Sequence, residues 1–154
     1  MVNLGDLSRA SARHLLDKDC PPFETAPFVA GPPLRQRRVA IVTTAGLHRR
    51  DDNNFNLSDL SYRAIPGDVR LSDLVMTQAS VNFDRSGFQQ DVNVVFPLDR
   101  LREMDGAGEI GRIANFHYAF NGAGQLPTAF EATGREVGRM LKEDGVNAAL
   151  LVPV

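Results

Sequence analysis

Two short apolar runs constrain the fold of this chain more than any other feature. Val39 to Thr44 and Asn147 to Val152 each have the length of one strand, and neither alternates regularly between apolar and polar residues. Such runs are buried on both faces, which is typical of parallel strands covered by helices on either side. We therefore predict an α/β fold in three layers, with a mostly parallel sheet and helices on its faces.

The region between these runs carries further strand signals. Tyr62 to Ile65 is predicted as a brief edge strand that stops at the turn Pro66–Asp68. Leu74 to Met76 is predicted as a second short parallel strand. Phe116 to Phe120 alternates and is rich in aromatic residues, which also indicates a strand. These segments supply the remaining strands of the predicted sheet.

Two later segments carry helix signals. Pro97 at a first helical position begins one helix, which Asp105–Gly106 ends. Thr128 followed by Glu131 is a capping box that begins another helix, and Gly145 is its C-terminal stop. The predicted apolar face of this second helix contains Phe130, Val137, Met140 and Leu141.

The first 36 residues differ in composition from the rest. Leu4 to Asp17 is predicted as a weakly amphipathic helix. Cys20 to Pro33 contains five prolines in fourteen residues, so it is predicted as an extended arm that lies over another surface. Its anchors are expected to be Phe23, Phe28 and Val29. We treat residues 1–154 as one domain, with residues 1–36 as helix and arm and residues 37–154 as the sheet-forming core.

Composition excludes several classes of partner. The formal net charge of -2 gives no basic excess, so a nucleic-acid partner is not expected. No apolar run approaches the ~20 residues that span a bilayer, and the start of the chain does not resemble a signal peptide. The single cysteine, Cys20, rules out an internal disulfide framework and is typical of a reducing compartment. We expect a soluble cytoplasmic protein.

Polar groups are concentrated between Asn82 and Arg102. Two acids, two primary amides and a guanidinium in about ten residues indicate a pocket for a small charged molecule or for a partner's loop. The predicted binding residues of this stretch are Asp84, Arg85, Gln89, Gln90, Asp91 and Asn93. The alternative is that Asp84 and Asp91 cap loop amides or pair with Arg85.

Further candidates follow from the position of the predicted strands. Thr44, Gly46 and His48 lie at the carboxyl end of the first apolar run, where open α/β sheets bind ligands. His117 lies inside the aromatic strand, where it is either a site residue or a core residue with one hydrogen-bonded nitrogen. All four join the predicted substrate- or partner-binding set.

The sequence lacks a complete catalytic set. No cluster of histidine, cysteine and carboxylate residues has metal-ligand spacing, so no metal is expected. Ser80 and Ser86 lie outside any nucleophile-elbow pattern, and Cys20 has no neighbouring base to activate it. The only lysines are Lys18 and Lys142, and no glycine-rich phosphate loop is present. We therefore assign no catalytic residue and no cofactor to this chain.

Four segments resemble a known family in order and spacing. They are Arg37–His48, Phe83–Glu103, Gly108–Gly111 and Asp144–Val154, and the turn Ile65–Asp68 matches as well. Within the second segment, VNVVFPLDRLRE is the most specific motif. Over most of its length the chain resembles the selenoprotein B family of glycine, sarcosine, betaine and D-proline reductases.

The resemblance implies a chemistry. Members of that family place a selenocysteine or a cysteine after a strand like Ala148–Val152. By resemblance, this selenol attacks the α-carbon of a small amino-acid-like substrate while a pyruvoyl group on a partner subunit holds the amine. A selenolate suits the task because it is ionised at neutral pH and strongly nucleophilic, as an extreme case of thiolate chemistry. Other subunits of a reductase complex are the implied partners.

This sequence departs from the family pattern at one position. It stops at Val154, and no nucleophile follows the last predicted strand. We hypothesise that a selenocysteine codon was read as a stop, in which case the helix expected after that strand is missing. A chain of this kind is expected to be inactive alone. Its uncovered sheet is expected to be hidden by another subunit, as in a homo-oligomer.

Two classes of function therefore remain open. The first is the N-terminal part of a reductase subunit, which is an oxidoreductase if its full-length form carries selenocysteine or cysteine. The second is a non-catalytic domain of the same fold that binds a small molecule or a partner protein. Reductase activity of the 154-residue chain with a dithiol donor distinguishes the two.

Overall fold

A computed structural model describes residues 3–17, 22, 28–80, 85–123 and 125–154. Four single residues discussed above, Lys18, Cys20, Phe23 and Asp84, lie outside these ranges. Among the described residues, seven strands are present: β1 Arg38–Thr43, β2 Leu47–Arg49, β3 Tyr62–Pro66, β4 Leu74–Met76, β5 Arg112–Ile113, β6 Phe116–Phe120 and β7 Ala148–Val152. The same ranges contain four α-helices: α1 Arg9–Leu16, α2 Ser86–Gln90, α3 Leu98–Gly106 and α4 Glu131–Glu143.

The main sheet is built around β1. Strand β7 pairs in parallel with one edge of β1, from Val39 to Thr43. Strands β5 and β6 pair in parallel with the two ends of the opposite edge. Strand β3 pairs antiparallel with β6 and forms the far edge of the sheet. The prediction of a mostly parallel sheet with Tyr62–Ile65 at its edge is confirmed.

Helices cover the sheet from both sides. Side chains of β1, including Ile41, pack in one apolar cluster with Leu98 and Leu101 of α3. On the opposite face, Tyr118 and Phe120 of β6 pack against Val137 of α4. The apolar face predicted for α4 is confirmed, because Phe130, Met140 and Leu141 also contact this second cluster. The arrangement is the predicted three-layer α/β fold.

The predicted parallel strand at Leu74–Met76 is wrong in its direction. Strand β4 pairs antiparallel with β2 in a separate two-stranded sheet, with His48 opposite Val75. Gly46 explains the change of course, because its φ of 65° turns the chain after β1 in a conformation that favours glycine. The N–H of Thr77 then donates to the Gly46 carbonyl at 3.0 Å, which closes the small sheet.

The predicted capping box is also wrong. Helix α4 begins at Glu131 after a 3₁₀ turn, Pro127–Phe130, and no side chain caps its N-terminal residue. Thr128 lies inside that turn, because Pro127 occupies the first turn position and fixes its backbone angle. The predicted stop is confirmed: Gly145 has a φ of 69°, and its N–H donates to the Lys142 carbonyl.

Two expectations of burial are wrong. Phe28 and Val29, predicted as anchors of the proline-rich arm, are 93% and 81% exposed. In β7, Leu151 is 64% exposed and Leu150 is 40% exposed, although the composition of the strand predicts burial on both faces. The reason is positional, since β7 is an edge strand in the described part of the chain and α4 packs over β6 instead.

The N-terminal helix is shorter than predicted. A 3₁₀ turn, Leu4–Asp6, precedes α1, and the Ser8 hydroxyl caps α1 by accepting from the N–H of Ser11. No residue of α1 is buried. Within the described ranges, no helix is long and apolar enough to cross a membrane.

His117 completes the hydrogen bonding of the central strand. Strands β5 and β6 contact the two ends of β1, and between them the N–H of Ile41 donates to Nδ1 of His117 at 3.0 Å. The imidazole thus replaces a ladder carbonyl, and its ring lies edge-on to Phe96 at 5.6 Å between centroids. Because Nδ1 accepts this bond, the ring must be neutral. Burial, aided by the charge of Arg102, lowers the pKa of His117 from 6.5 to about 4.

This shift predicts a pH-dependent stability. A folded pKa of about 4 against an unfolded value of 6.5 means that the unfolded chain binds the proton more readily. Neutral His117 therefore stabilises the folded chain fully above pH 6.5, and this stabilisation is lost as the pH falls towards 4. The expected loss is about 3 kcal/mol in the free energy of unfolding. Urea unfolding of wild type and His117→Asn across this range measures it.

The variants separate this histidine from other titrating groups. Asparagine at position 117 keeps an acceptor near Nδ1 but does not titrate, so His117→Asn is expected to flatten the pH dependence between 6.5 and 4. His14→Asn, at an exposed position on α1, is the matched control and should retain it. An unchanged slope in His117→Asn would contradict the assignment.

Candidate functional site

Thr44 joins the carboxyl ends of the main strands. It directly follows β1, and its N–H donates to the Val152 carbonyl at the end of β7. Its hydroxyl accepts from the N–H of Val154 at 2.9 Å and donates to the carbonyl of the same residue at 3.3 Å. This two-point clamp holds the chain after β7 against the chain after β1.

The Thr44 carbonyl accepts two further hydrogen bonds. One comes from the side-chain amide of Gln78, which follows β4, at 2.8 Å. The other comes from the N–H of Gly122, which follows β6, at 3.1 Å. A Cβ on Gly122 would lie 2.8 Å from the Thr44 Cβ, so the close approach requires glycine. One residue therefore ties together the ends of four strands.

Gly46 forms the next contact at this edge. Its N–H donates to the Phe120 carbonyl at 2.8 Å, and a Cβ at this position would lie 2.9 Å from the backbone nitrogen of Gln78. Thr43, which is fully buried, donates from its hydroxyl to the Val95 carbonyl at 3.0 Å. The predicted residues Thr44 and Gly46 are thus brought together, with Thr43 as a structural neighbour.

Two buried amides complete the edge. Gln78 is 3% exposed, and its side-chain oxygen accepts from the N–H of Ser80. Asn121 is 1% exposed and donates to the Asn56 carbonyl at 2.9 Å. Both amides order the loops around the edge. We call Thr43, Thr44, Gly46, Gln78, Arg85 and Asn121 the carboxyl-edge cluster.

Arg85 brings the charge to this cluster. Its Nη2 atom donates to the carbonyl of Gln78 and, at 3.4 Å, to that of Ser80. A guanidinium has five N–H groups, and its Nε and Nη1 groups make no hydrogen bond to the described residues. The residue is exposed, so these three N–H groups can meet an incoming acceptor. Main-chain atoms fix its position, while its remaining donors have no partner among the described residues.

Asp91 and Asn93 have a structural task in this conformation. The Asp91 carboxylate accepts from the backbone and side-chain nitrogens of Asn93, both at 2.9 Å, and these bonds lower the pKa of the carboxyl. Asn93 in turn accepts from the N–H of Asp99 at 3.1 Å at the start of α3. For Asp91, the alternative of a loop-amide cap is confirmed.

The two glutamines lie apart from these contacts. Gln89 and Gln90 are exposed on the short helix α2. The backbone N–H of Gln89 donates to the Arg85 carbonyl at 3.0 Å, but neither glutamine side chain bonds to a described residue of the carboxyl-edge cluster. Asp84, the other acid of the predicted pocket, lies outside the described residues. Of the predicted polar stretch, Arg85 is therefore the residue that the structure joins to Thr44, through Gln78.

The two histidines are both buried and separate from the cluster. His48 is 2% exposed in β2, with Nδ1 bonded to the Arg49 carbonyl at 2.7 Å and its ring near Phe55. His117 is fully buried in β6, with one bonded nitrogen, as the core alternative predicts. In each ring, Nε2 has no hydrogen-bond partner among the described residues.

Three residues of the cluster were missed at the level of sequence. Thr43, Gln78 and Asn121 each stand at or just beyond the carboxyl end of a strand. That shared position is the signal that could have found them, because strand ends meet at one edge of a parallel sheet. Within the described ranges, no group of histidine, cysteine and acidic residues could hold a metal ion.

Comparison with known proteins gives a consistent result. The sequence profile described as glycine/sarcosine/betaine reductase selenoprotein B matches residues 22–154. The chain is 39% identical over 120 residues to D-proline reductase subunit gamma of Acetoanaerobium sticklandii, covering 77% of this chain and 49% of that protein. No solved structure gives a significant match.

Two further relatives are named as parts of reductase complexes. Sarcosine reductase complex component B subunit beta of Peptoclostridium acidaminophilum is 32% identical over 118 residues, 74% of this chain and 27% of the relative. Glycine reductase complex component B subunit gamma of Carboxydothermus hydrogenoformans is 28% identical over 122 residues, 77% and 28% respectively. The chain thus spans about half the length of the D-proline reductase subunit and little more than a quarter of these two.

The clamp at Thr44 predicts a local loss of stability when the hydroxyl is removed. Thr44→Val keeps the shape of the side chain but leaves the N–H and carbonyl of Val154 without their partner. We expect a loss of about 1–3 kcal/mol in the free energy of unfolding. Amide hydrogen exchange at Val154 should accelerate more than exchange within β1.

A matched control distinguishes the clamp from a general effect. Thr133→Val also removes a hydroxyl, in this case one on α4 that donates to the Phe130 carbonyl, and it should leave exchange at Val154 unchanged. Equal protection of Val154 in wild type and Thr44→Val would show that the clamp does not hold the end of β7.

Proposed function

The chain belongs to the glycine/sarcosine/betaine reductase selenoprotein B family, and from this membership we propose that it binds a small amino acid or related amine as part of a reductase subunit. The proposed binding place is the carboxyl-edge cluster. The observation that carries the proposal is the clamp between Thr44 and Val154, because it holds the end of β7 beside the residues that position Arg85.

The chemistry of the named substrates supports this choice. Glycine, sarcosine, betaine and D-proline, the compounds in the relatives' names, each carry a carboxylate. A guanidinium can bind a carboxylate through two parallel N–H groups, which gives both strength and orientation. Arg85 has Nε and Nη1 donors for this purpose, and its Nη2 bonds to two carbonyls fix its position. We assign the substrate carboxylate to Arg85.

The redox-active residue is proposed to come from outside these 154 residues. Family members carry a selenocysteine or cysteine after the strand that corresponds to β7, as the resemblance implies. The 154 residues contain one cysteine, Cys20, in a proline-rich segment with no neighbouring base. The chain by itself then binds and orients the substrate but does not reduce it. The lack of an activated cysteine in these 154 residues equally supports the alternative, a non-catalytic binding domain.

A pyruvoyl group on a partner subunit remains part of the proposal. When bound at this edge, that group supplies the electrophilic carbonyl that holds the substrate amine. The carboxyl-edge cluster fits such a group, since its hydroxyls and amides are neutral and none of its members is an amine that would react with it. Lys142, the lysine within the described ranges, lies in the last turn of α4. The residues of this chain would orient the carboxylate while the partner holds the nitrogen.

The relatives and the composition indicate the partners and the location that we propose for this chain. Several relatives are subunits of reductase complexes, so partner subunits are expected for this chain too. We further propose a cytoplasmic location, because a single cysteine and reductive chemistry both suit a reducing compartment. Self-association of the chain is also proposed.

Binding measurements test the assignment of Arg85. Isothermal titration of the 154-residue chain with glycine, sarcosine, betaine and D-proline should detect binding of at least one. Arg85→Gln should weaken that binding by about tenfold or more, since it removes a charge-assisted pair worth about 1.5–3 kcal/mol. Arg100→Gln, which removes an exposed arginine paired with Glu103, is the matched control and should bind normally.

An activity measurement tests whether this chain binds the substrate without reducing it. With dithiothreitol as electron donor, the chain should release no amine product from any of the four compounds. Turnover by the 154-residue chain would overturn the proposal that the nucleophile comes from elsewhere. Absence of binding to all four compounds, or normal binding by Arg85→Gln, would overturn the proposed substrate site.

A further inference from the structure

Gln78 is buried next to the proposed substrate site, and both ends of its side-chain amide are bonded. The residue is 3% exposed and lies just beyond the end of β4. Its Nε2 donates to the Thr44 carbonyl at 2.8 Å, and its Oε1 accepts from the N–H of Ser80 at 3.3 Å. Because a buried amide is stable only where its polar atoms have partners, these bonds fix the side chain in one orientation.

The backbone of Gln78 is fixed by the turn that follows β1. A Cβ on Gly46 would lie 2.9 Å from the backbone nitrogen of Gln78 and 3.0 Å from its Cα atom, so the two segments are in direct contact there. The N–H of Thr77, the preceding residue, donates to the Gly46 carbonyl at 3.0 Å. The end of β1 therefore holds Gln78 twice, by its backbone at Gly46 and by its side chain at Thr44.

The guanidinium of Arg85 takes its position from the segment that begins at Gln78. One of the two carbonyls that accept from its Nη2 belongs to Gln78, and the other belongs to Ser80, whose N–H the Gln78 amide holds. The main chain of Arg85 is held separately, because its carbonyl accepts from the N–H of Gln89 on α2 at 3.0 Å. The orientation of the guanidinium relative to β1 therefore depends on Gln78.

We propose that Gln78 is a positioning residue for the substrate site: its amide holds the two carbonyls that orient the Arg85 guanidinium towards a substrate carboxylate. This role rests on the function proposed for Arg85, and Gln78 acts through that residue, because its own amide is buried and already bonded. An arginine side chain that is not held must be ordered when it binds, which weakens binding. Removal of the amide should therefore lower the affinity although the charge of Arg85 is still present.

A purely structural role for Gln78 leads to a different expectation. If the amide only supports the fold, Gln78→Met should lower the stability of the protein and leave the affinity of the folded variant unchanged. If the amide positions Arg85, the folded variant should bind more weakly. That weakening should also vanish once Arg85 is removed, because two residues that act as one unit do not contribute additively.

A double-mutant cycle measured by isothermal titration tests the positioning role. The ligand is whichever of glycine, sarcosine, betaine and D-proline the wild type binds most tightly. Gln78→Met should weaken binding about three- to tenfold, the range expected when one flexible side chain must be ordered on binding. In the Arg85→Gln background, the same substitution should change the affinity by less than about twofold.

A matched control removes a similar amide elsewhere at the same edge. Gln125→Met deletes a side-chain amide that donates to the Leu57 carbonyl at 2.9 Å, and it should bind as the wild type does. Circular dichroism and thermal unfolding establish that each variant is folded. Should Gln78→Met not fold, Gln78→Asn replaces it, because this variant keeps a polar amide but is one carbon too short to make both bonds.

The orientation of Arg85 can also be measured without a substrate. Two carbonyl bonds to Nη2 hinder rotation of the guanidinium about its Nε–Cζ bond, so Nη1 and Nη2 of Arg85 should give separate nitrogen-15 signals in NMR spectra. The signals that disappear in Arg85→Gln are assigned to this residue. Gln78→Met should accelerate exchange between them, whereas Gln125→Met should not.

The possible outcomes separate the role of Gln78 from the function proposed for Arg85. Normal affinity in folded Gln78→Met, alongside weak binding by Arg85→Gln, would overturn the positioning role and leave the substrate site intact. Additive effects in the double variant would do the same. Unchanged exchange of the Arg85 signals in Gln78→Met would also overturn it, even if the wild type binds none of the four compounds. That lack of binding counts against the proposed function, whereas faster exchange still supports the positioning of Arg85 by Gln78.

Discussion

The hydrogen bonds of Thr44 are the constraint on which the carboxyl edge of this protein depends. Its backbone and hydroxyl contact the ends of β7, while its carbonyl receives donors from Gln78 and Gly122. Each of these groups is at least partly buried, and a buried polar group left without a partner costs about 1–3 kcal/mol. The four strand ends therefore keep their mutual positions because a single residue satisfies all of them. Whatever binds at this edge meets a surface that is already ordered.

The ordered carboxyl edge suits substrate binding, whereas the reduction step needs a further group. The hydroxyls and amides of the carboxyl-edge cluster are engaged with the protein itself, whereas the Nε and Nη1 donors of Arg85 bond to no described residue. An arginine held by two carbonyls loses little further freedom when it binds a carboxylate, so the proposed substrate site would be preorganised for recognition. Reduction needs a nucleophile, which is proposed, by resemblance to the family, to follow the strand equivalent to β7. The clamp at Thr44 holds the end of that strand beside Arg85, so recognition and reaction would share one edge.

The sheet is asymmetric in how it is covered. Helix α4 packs over β6, and α3 packs on the other face, but β7 has exposed leucines, and among the described residues it pairs with β1 alone. Its composition is that of a strand buried on both faces, which is why its sequence and its surroundings disagree.

The sequence by itself determined the layers, the parallel strands and the amphipathic face of α4, because apolar periodicity follows directly from which side chains must be buried. It also indicated Thr44 and Gly46 as edge residues, since strand ends in such sheets converge. Tertiary structure decided the rest. The direction of β4 depends on the turn at Gly46, and Asp91 became a cap because Asn93 lies within its reach. Likewise, His117 is buried in the core, where its Nδ1 accepts a hydrogen bond from the N–H of Ile41. Each outcome depends on a contact between residues or on a backbone angle, which residue types alone do not specify.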